Sequence, residues 1–433
     1  NDRMDVGPFD CEFLPVTHSI PSGNITALHT KQGVILHSSD FKLDLTPVDG
    51  RRTNLSRIGA LAHDPGIRLL MADSTNADSP GMSKSETEIG ANLANLISGQ
   101  AGRRVIVASF ASHLHRIQQL ADAAVATDRT LVTLGLSMKR NVKLARDLGI
   151  LRVPDHAIRD IDDLEDLDQS KVLVVCTGSQ GEPRAALTQM AIGASRWLKL
   201  DSNDTVVFSS HPIPGNEAAV ASVRNGLARH GVRVFHSGMV DIHTSGHGKQ
   251  QELQTLHSVA VPEWFVPVHG EYAHLVAHSD LARKMGMPDD RIVFCEDGDQ
   301  IVIGDEGIEH LGSIGGDHLY VDGTVGDLGN AVLGDRRILG DDGFCAIVVH
   351  VDLERGEIIA GPDVVSRGWV EVPALLGHET AVADAVEQDL MKALDDRDVT
   401  TEKLGQVARR AAGRTVNDRT RRRPMIVPVI REG

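Results

Sequence analysis

The sequence predicts an α/β protein in which a parallel-sheet block is inserted into a strand-rich domain and followed by a small α+β module. Three observations carry this. From about residue 68 to 238, short apolar runs alternate with amphipathic stretches. The flanking residues, 1–66 and 232–305, read as strands, and beyond about residue 310 glycine-rich sequence leads into a last run of strands and helices. Short, near-continuously apolar strands alternating with helices imply a mostly parallel sheet covered on both faces. At 433 residues the chain calls for two or three domains.

In chain order, Phe13–Thr17, Ala27–Thr30 and Val34–His37 are strand-like runs with turn residues at Ser22-Gly23-Asn24 and Lys31-Gln32-Gly33, which predicts antiparallel sheet. Two polar signals sit at their ends, Thr17-His18-Ser19-Ile20-Pro21 and His37-Ser38-Ser39-Asp40. The block that follows has strands at Arg68–Ala72, Val105–Phe110, Leu131–Leu134, Val172–Cys176 and Thr205–Ser209. Helices are predicted over Leu114–Ala126, Met138–Leu148 and Glu217–Leu227, the last with Ala219, Val223 and Leu227 at the spacing of one face. Four of the five strands run into a carboxylate, hydroxyls or glycines: Asp73-Ser74-Thr75-Asn76, Ser109 to Ser112, Thr177 to Pro183, and Ser209-Ser210-His211-Pro212. Open α/β sheets bind ligands at that edge. Each segment alone also reads as a turn or helix cap; the set together predicts a ligand crevice.

Residues 232–305 return to strand-rich sequence and carry two histidine clusters. His243-Thr244-Ser245-Gly246-His247 packs two imidazoles into one tight turn, which suits a phosphate or a metal-bound anion. Trp264–Val268 reads as a buried strand that fixes His269 at its end, within Val268-His269-Gly270-Glu271. A lone histidine is usually structural; two clusters at element ends favour a site. The final module has strands at Ala346–Val351, Glu357–Ala360 and Met425–Ile430, and helices at Ala381–Leu394 and Thr401–Ala412. Seven arginines between Arg409 and Arg423 fit a solvated helix face and an RNA-contacting patch equally well.

Hydrophobic residues make up 41% of the chain and no run approaches a membrane span, so a globular protein without membrane contact is expected. A net charge of −16 argues against indiscriminate nucleic-acid binding, but not against a local basic channel. The four cysteines, Cys11, Cys176, Cys295 and Cys345, form no Cys-x-x-Cys pair. That argues against a disulfide framework and a thiolate zinc site, and fits a reducing cytoplasm. Imidazole and carboxylate are then the donors for zinc, and His18, Asp40 and His269 lie at predicted strand ends. An aspartate can bridge two ions, which together activate a water and stabilise both oxygens of a phosphodiester exchange. His243 to His247 and the hydroxyl-rich edge would hold the phosphates. Three ligands do not complete a binuclear site.

These segments, together with Asp40-Phe41-Lys42-Leu43-Asp44, Pro212-Ile213-Pro214-Gly215-Asn216-Glu217 and Arg423-Pro424-Met425-Ile426-Val427-Pro428, resemble ribonuclease J of the metallo-β-lactamase and β-CASP nucleases. They occur in family order across nearly the whole chain. The resemblance implies a metallo-β-lactamase-like αββα domain with an inserted β-CASP domain and a C-terminal α+β domain. The expected divisions are 1–73 and 233–310 for the lactamase-like parts, 74–232 for β-CASP, 311–335 for a linker and 336–433 for the C-terminal domain. His18 and Asp40 become the third and fourth metal motifs, with Asp40 bridging two zinc ions. Asp73, His247 and His269 become the three β-CASP motifs, His269 also a zinc ligand, with Asp40, Asp73 and His247 in catalysis. His243, Thr244, Ser245, Gly246 and His247 become the substrate-phosphate loop, with Ser112 and Ser179 as further phosphate contacts.

The implied activity is zinc-dependent 5′-to-3′ exonuclease and endonuclease action on RNA in rRNA processing and mRNA decay, preferring 5′-monophosphorylated ends. A homodimer or homotetramer, a place in an RNA-degradation assembly and a cytoplasmic location go with it. Three departures stand out. The hallmark His-x-His-x-Asp-His does not occur in the 433 residues, so the lactamase-like part is expected to be incomplete and the chain as given inactive. Ser39 replaces the usual glycine before Asp40, and His211 stands where a small residue is expected. Two alternatives follow: a non-catalytic RNA-binding or assembly subunit, or a related β-CASP nuclease acting on DNA or mRNA 3′ ends.

Overall fold

A computed structural model describes residues 2–316, 318–322, 326, 329–370, 372–396 and 398–433. Two compact units result, Asn1–Gly316 and Asp317–Gly433. In the first, strands β1 (Asp2–Val6), β2 (Phe9–Pro15), β3 (Asn24–Thr30) and β4 (Gly33–His37) pair antiparallel in sequence. Helix α1 (Leu55–His63) then returns the chain so that β5 (Ile67–Asp73) lies parallel to β4. The alternation of Val34 and Leu36 with outward residues keeps one face of β4 in the core.

The inserted block starts with α2 (Glu86–Ser98) and alternates through β6 (Arg104–Ala108), α3 (Leu114–Ala126), β7 (Thr130–Leu134), α4 (Leu136–Asp147), β8 (Ile158–Asp160), β9 (Val172–Cys176), α5 (Ala186–Ala191), β10 (Asp204–Phe208), α6 (Glu217–Arg229) and β11 (Arg233–His236). Its six strands are all parallel, in the order β11-β10-β6-β9-β7-β8. Helices α2, α3 and α4 pack on one face, while α5 and α6 pack on the other. The three central strands β10, β6 and β9 are buried at every position, as a sheet covered on both sides requires. In α6 the inward stripe is Val220, Val223 and Leu227, not the face through Ala219; Val220 buries more apolar surface than the alanine it displaces.

The chain then rejoins the first sheet through α7 (Gln250–Ala260), β12 (Trp264–Val268) and α8 (Tyr272–Lys284), with β12 parallel to β5. The strand-rich reading of residues 232–305 is corrected here, because two helices of this segment cover the sheet. Ile58, Leu61, Leu253, Leu256 and Leu281 pack on its inner side against Leu14, Ile25, Leu36 and Leu70. A hairpin of β13 (Asp299–Ile303) and β14 (Ile308–Ser313) packs near Trp264 and Val266 on the opposite side.

The second unit holds α9 (Asn330–Asp341), β15 (Phe344–Asp352), β16 (Glu357–Arg367), α10 (Val372–Leu394), α11 (Thr401–Thr420) and β17 (Met425–Glu432). The stretch 311–335 expected as a linker is therefore entered by β14 and by the start of α9, although several of its residues lie outside the described ones. β15 pairs antiparallel with β16 and parallel with β17, and its alternate residues Cys345, Ile347, Val349 and Val351 pack against Val382, Val386, Leu404 and Ala408. Among the described residues no helix is long and apolar enough to cross a membrane.

Candidate metal and phosphate site

Three parallel strands end at one edge of the first sheet. β4 and β5 are in register at His37 and Met71, and β5 and β12 at Asp73 and Val268, so the residues that follow them meet. Asp40 reaches this edge through a left-handed turn at Ser39, whose φ is 55°. That conformation favours glycine, the residue expected at this position from the family resemblance. Here the serine is secured by its own bonds: its hydroxyl donates to the Asn24 carbonyl at 2.8 Å, and its N–H to His37 Nδ1 at 3.1 Å.

Asp73 is the floor of the site, with only 2% of its side chain exposed. Its Oδ1 accepts from the Thr75 N–H at 3.0 Å and hydroxyl at 2.7 Å; its Oδ2 accepts from the Phe41 N–H at 3.3 Å and His247 Nδ1 at 2.6 Å. Burial pushes this carboxyl up, but the hydrogen bonds from His247 and His269 outweigh it and hold Asp73 well below the usual carboxylate range. A charged carboxylate only accepts, so His247 carries its proton on Nδ1 and leaves Nε2 free. His269 Nδ1 lies 3.3 Å from both Asp73 Oδ1 and Asp40 Oδ1, and its bond to Asp73 raises its basicity. The side chains of His269 and Asp40, 52% and 45% exposed, are the open groups of the site.

Asp40, Asp73, His247 and His269 each offer a ligand atom, all within 4.8 Å of one another. His18 stands beside them, its ring edge-on to His247 at 5.0 Å. Its Nδ1–H donates to the Gly246 carbonyl at 2.8 Å, leaving Nε2 3.8 Å from Asp40 Oδ2. Burial lowers the basicity of His18, which favours the neutral, ligating form.

The other predicted residues are placed differently. Ser245 Oγ accepts from Asn76 Nδ2 at 2.9 Å and from the His247 N–H at 3.1 Å, and so shapes the turn from within. Gly246 serves through its carbonyl and its lack of a side chain. Thr244 is buried, and His243 packs edge-on against His211 at 4.8 Å, with Nδ1 buried and unpartnered. Ser112 is exposed just ahead of α3, and Ser179 is buried at the carboxyl edge of the inserted sheet; neither touches the cluster. Thr75 and Asn76 carry no individual signal in the sequence beyond that of their segment, Asp73-Ser74-Thr75-Asn76. Ser38, whose hydroxyl accepts from the Asp73 N–H at 3.0 Å, gave no separate signal.

Comparison with known proteins decides the family. Residues 102–227 match "Ribonuclease J, beta-CASP domain", 232–292 match "Zn-dependent metallo-hydrolase RNA specificity domain", and 331–433 match "Ribonuclease J C-terminal domain". Ribonuclease J of Mycolicibacterium smegmatis is 42% identical over 429 residues, covering 98% of this chain and 75% of that protein. The chain belongs to the ribonuclease J family. Ribonuclease J 1 of Streptococcus pyogenes is 39% identical over 434 residues, covering 99% of this chain and 76% of the relative. Ribonuclease J of Mycobacterium tuberculosis is 41% identical over 430 residues, covering 98% and 75%. In ribonuclease J terms, the all-parallel insertion is the β-CASP domain, the first sheet is metallo-β-lactamase-like, and the second unit is the C-terminal α+β domain.

Proposed function

We propose that this protein is a zinc-dependent hydrolase of RNA phosphodiester bonds, with the reacting phosphate held where the three strand ends face the His243–His247 turn. The observation that supports this is the convergence of Asp40, Asp73, His247 and His269 within 4.8 Å. The donor set fits zinc. Imidazole and carboxylate are its nitrogen and oxygen ligands, and His18 commits its Nδ1 proton to a carbonyl, as ligating histidines do. His18, Asp40 and His269 would hold the metal, which when bound supplies Lewis acidity and a more acidic water.

The remaining groups act on protons and orientation. Asp73 holds the His247 Nδ1–H, so Nε2 is the atom that takes or returns a proton at a phosphodiester oxygen. Asp73 thus positions His247 as a buried aspartate positions the histidine of a catalytic triad. A binuclear centre needs about three or four ligands around each ion, more than these residues provide, so the 433 residues alone are expected to bind zinc weakly and cleave little. The finer reading includes 5′-to-3′ exonucleolysis from a monophosphorylated end with some endonucleolytic capacity, a cytoplasmic homodimer or homotetramer, and a β-CASP division at 74–232.

The test compares cleavage of 5′-monophosphorylated single-stranded RNA by the 433-residue chain and by a form carrying the family's His-x-His-x-Asp-His segment ahead of it, each with and without chelator. Chelator-sensitive cleavage by the extended form alone is expected. There, His247→Ala should lower turnover about 100-fold or more while changing RNA affinity less than about threefold. An inert extended form overturns the reading, and robust cleavage by the shorter chain overturns the ligand count.

A further inference from the structure

Away from the Asp40–His269 cluster, and sharing none of its residues, a cavity of about 770 Å³ opens at the carboxyl ends of β6, β7 and β9. β6 is followed by α3 on one face of the sheet and its neighbour β9 by α5 on the other. The chain therefore diverges above these strands, the position at which open α/β sheets hold ligands. The lining combines three kinds of group. Trp197 is 41% exposed, with the Arg196 guanidinium 4.6 Å and the Lys139 ammonium 5.6 Å from its ring centroid. Arg184 and Arg196 are exposed and have no hydrogen-bond or ion-pair partner among the described residues, whereas Lys139 pairs with Asp160. Ser109 lines the floor, and its hydroxyl is buried without a hydrogen-bond partner.

These groups select a ligand class. A flat apolar ring beside a guanidinium stacks an aromatic base, which an aliphatic anion would leave unused. Two unpaired guanidinium groups ask for phosphate oxygens, which a neutral aromatic would leave unmet. The buried hydroxyl lacks a partner that a base edge or ribose supplies. Glu182, also in the lining, disfavours a second phosphate near Arg184. Lys139 further lines an open groove in which Lys143, Arg146, Arg152 and Arg159 outnumber Asp147, Asp160 and Asp163, so a polyanionic strand has a basic exit from the cavity.

We propose that this β-CASP cavity binds a nucleoside monophosphate unit, with the base on Trp197, the phosphate on Arg184 and Arg196, and Ser109 bonding the base or sugar. Only the choice of RNA as the strand to test rests on the function proposed above.

The experiment follows tryptophan fluorescence of the 433-residue chain in chelator, where no cleavage occurs. It is titrated with adenosine 5′-monophosphate or with a 5′-hydroxyl single-stranded RNA of about 12 nucleotides. Trp264 and Trp369 are buried, so quenching reports Trp197. Saturable quenching is expected in the unmodified chain, and filter binding should show RNA Kd raised at least about fivefold in Trp197→Ala and in the Arg184→Ala/Arg196→Ala double variant, with a shallower salt dependence in the latter. Trp197→Phe should lose the signal but keep RNA affinity by filter binding, which separates stacking from damage to the fold. Quenching by RNA alone assigns the cavity to a strand. Quenching by the mononucleotide, competed by RNA, assigns it to free nucleotides as well. No quenching by either ligand, or RNA affinity unchanged in both alanine variants, overturns the proposal. Failure of cleavage in the earlier test leaves this result untouched, because binding is read without metal.

Discussion

Gly246 illustrates, at the scale of single residues, how closely the candidate site is assembled. A Cβ at this position would stand 2.6 Å from His18 Cε1 and 2.8 Å from Ser19 Oγ, and the Gly246 carbonyl is what orients the His18 ring. Gly246→Ala is therefore expected to displace His18 and weaken zinc binding about tenfold or more, the scale of losing an outer-shell partner of a ligand. Chelator competition with zinc checks this, and unchanged affinity would remove His18 from the ligand set. The clustered residues His18, Asp40, Asp73, His247 and His269 were legible because each stands at a strand end or in a dense motif. Thr75 and Asn76 were less so. The bond from Asn76 to Ser245 spans 169 residues, and no local pattern encodes a contact made at that separation.

At the scale of elements, the parallel ends of β4, β5 and β12 create the site, while α7 and α8 escaped the sequence reading. Their inward faces explain why. α7 buries Glu252 and His257 among Leu253, Leu256 and Ala260, and α8 buries His278 and Ser279 beside Leu281 and Ala282, so polar residues interrupt the apolar period. Glu252 earns its place by accepting from the Leu43, Ser83 and Lys249 N–H groups. Burial pushes His257 down to about 4, from an ordinary value of 6.5. Between those pH values the unfolded chain binds a proton that the folded chain refuses. Stability is therefore present above 6.5 and is lost as pH falls towards 4. Urea unfolding should show this decline, with a slope of up to about 1.4 kcal/mol per pH unit from this group. His257→Gln should flatten the slope by about one proton; an unaltered slope would assign the decline to other groups, such as His113, which burial also holds at about 4.

At the scale of the whole first unit, a buried charge cluster joins the inserted sheet to the sheet that hosts the site. Lys42 and Asp44 come from the segment after β4, Glu86 from α2, and His113 and Arg116 from the start of α3; all are nearly or fully buried. Arg116 donates to Glu86, to Ser209 and to the Ile242 carbonyl, reaching the segment that leads into the histidine turn. Burial pushes the Glu86 carboxyl up, but His113, Arg116 and Lys42 together hold it well below the usual range. Glu86→Gln would leave Arg116 buried without its counter-charge, and a loss of about 3–5 kcal/mol in unfolding free energy is expected, little changed by added salt. A loss below about 1 kcal/mol, as for exposed pairs, would mean that the joint does not depend on this cluster.

Periodicity and motif order alone established the parallel insertion, the antiparallel start and the C-terminal module, and marked five residues that the fold brings together. Those features are local: an apolar strand ending in a polar turn is written in consecutive residues. Tertiary structure decided which of the marked residues meet. It turned Ser245 and Gly246 inward as supports, separated Ser112 and Ser179 from the cluster, and exposed a basic, tryptophan-lined cavity in a chain of net charge −16. The physical reason is that strand order and helix face, not position in the chain, determine which carboxyl ends share an edge and which cations are left without partners.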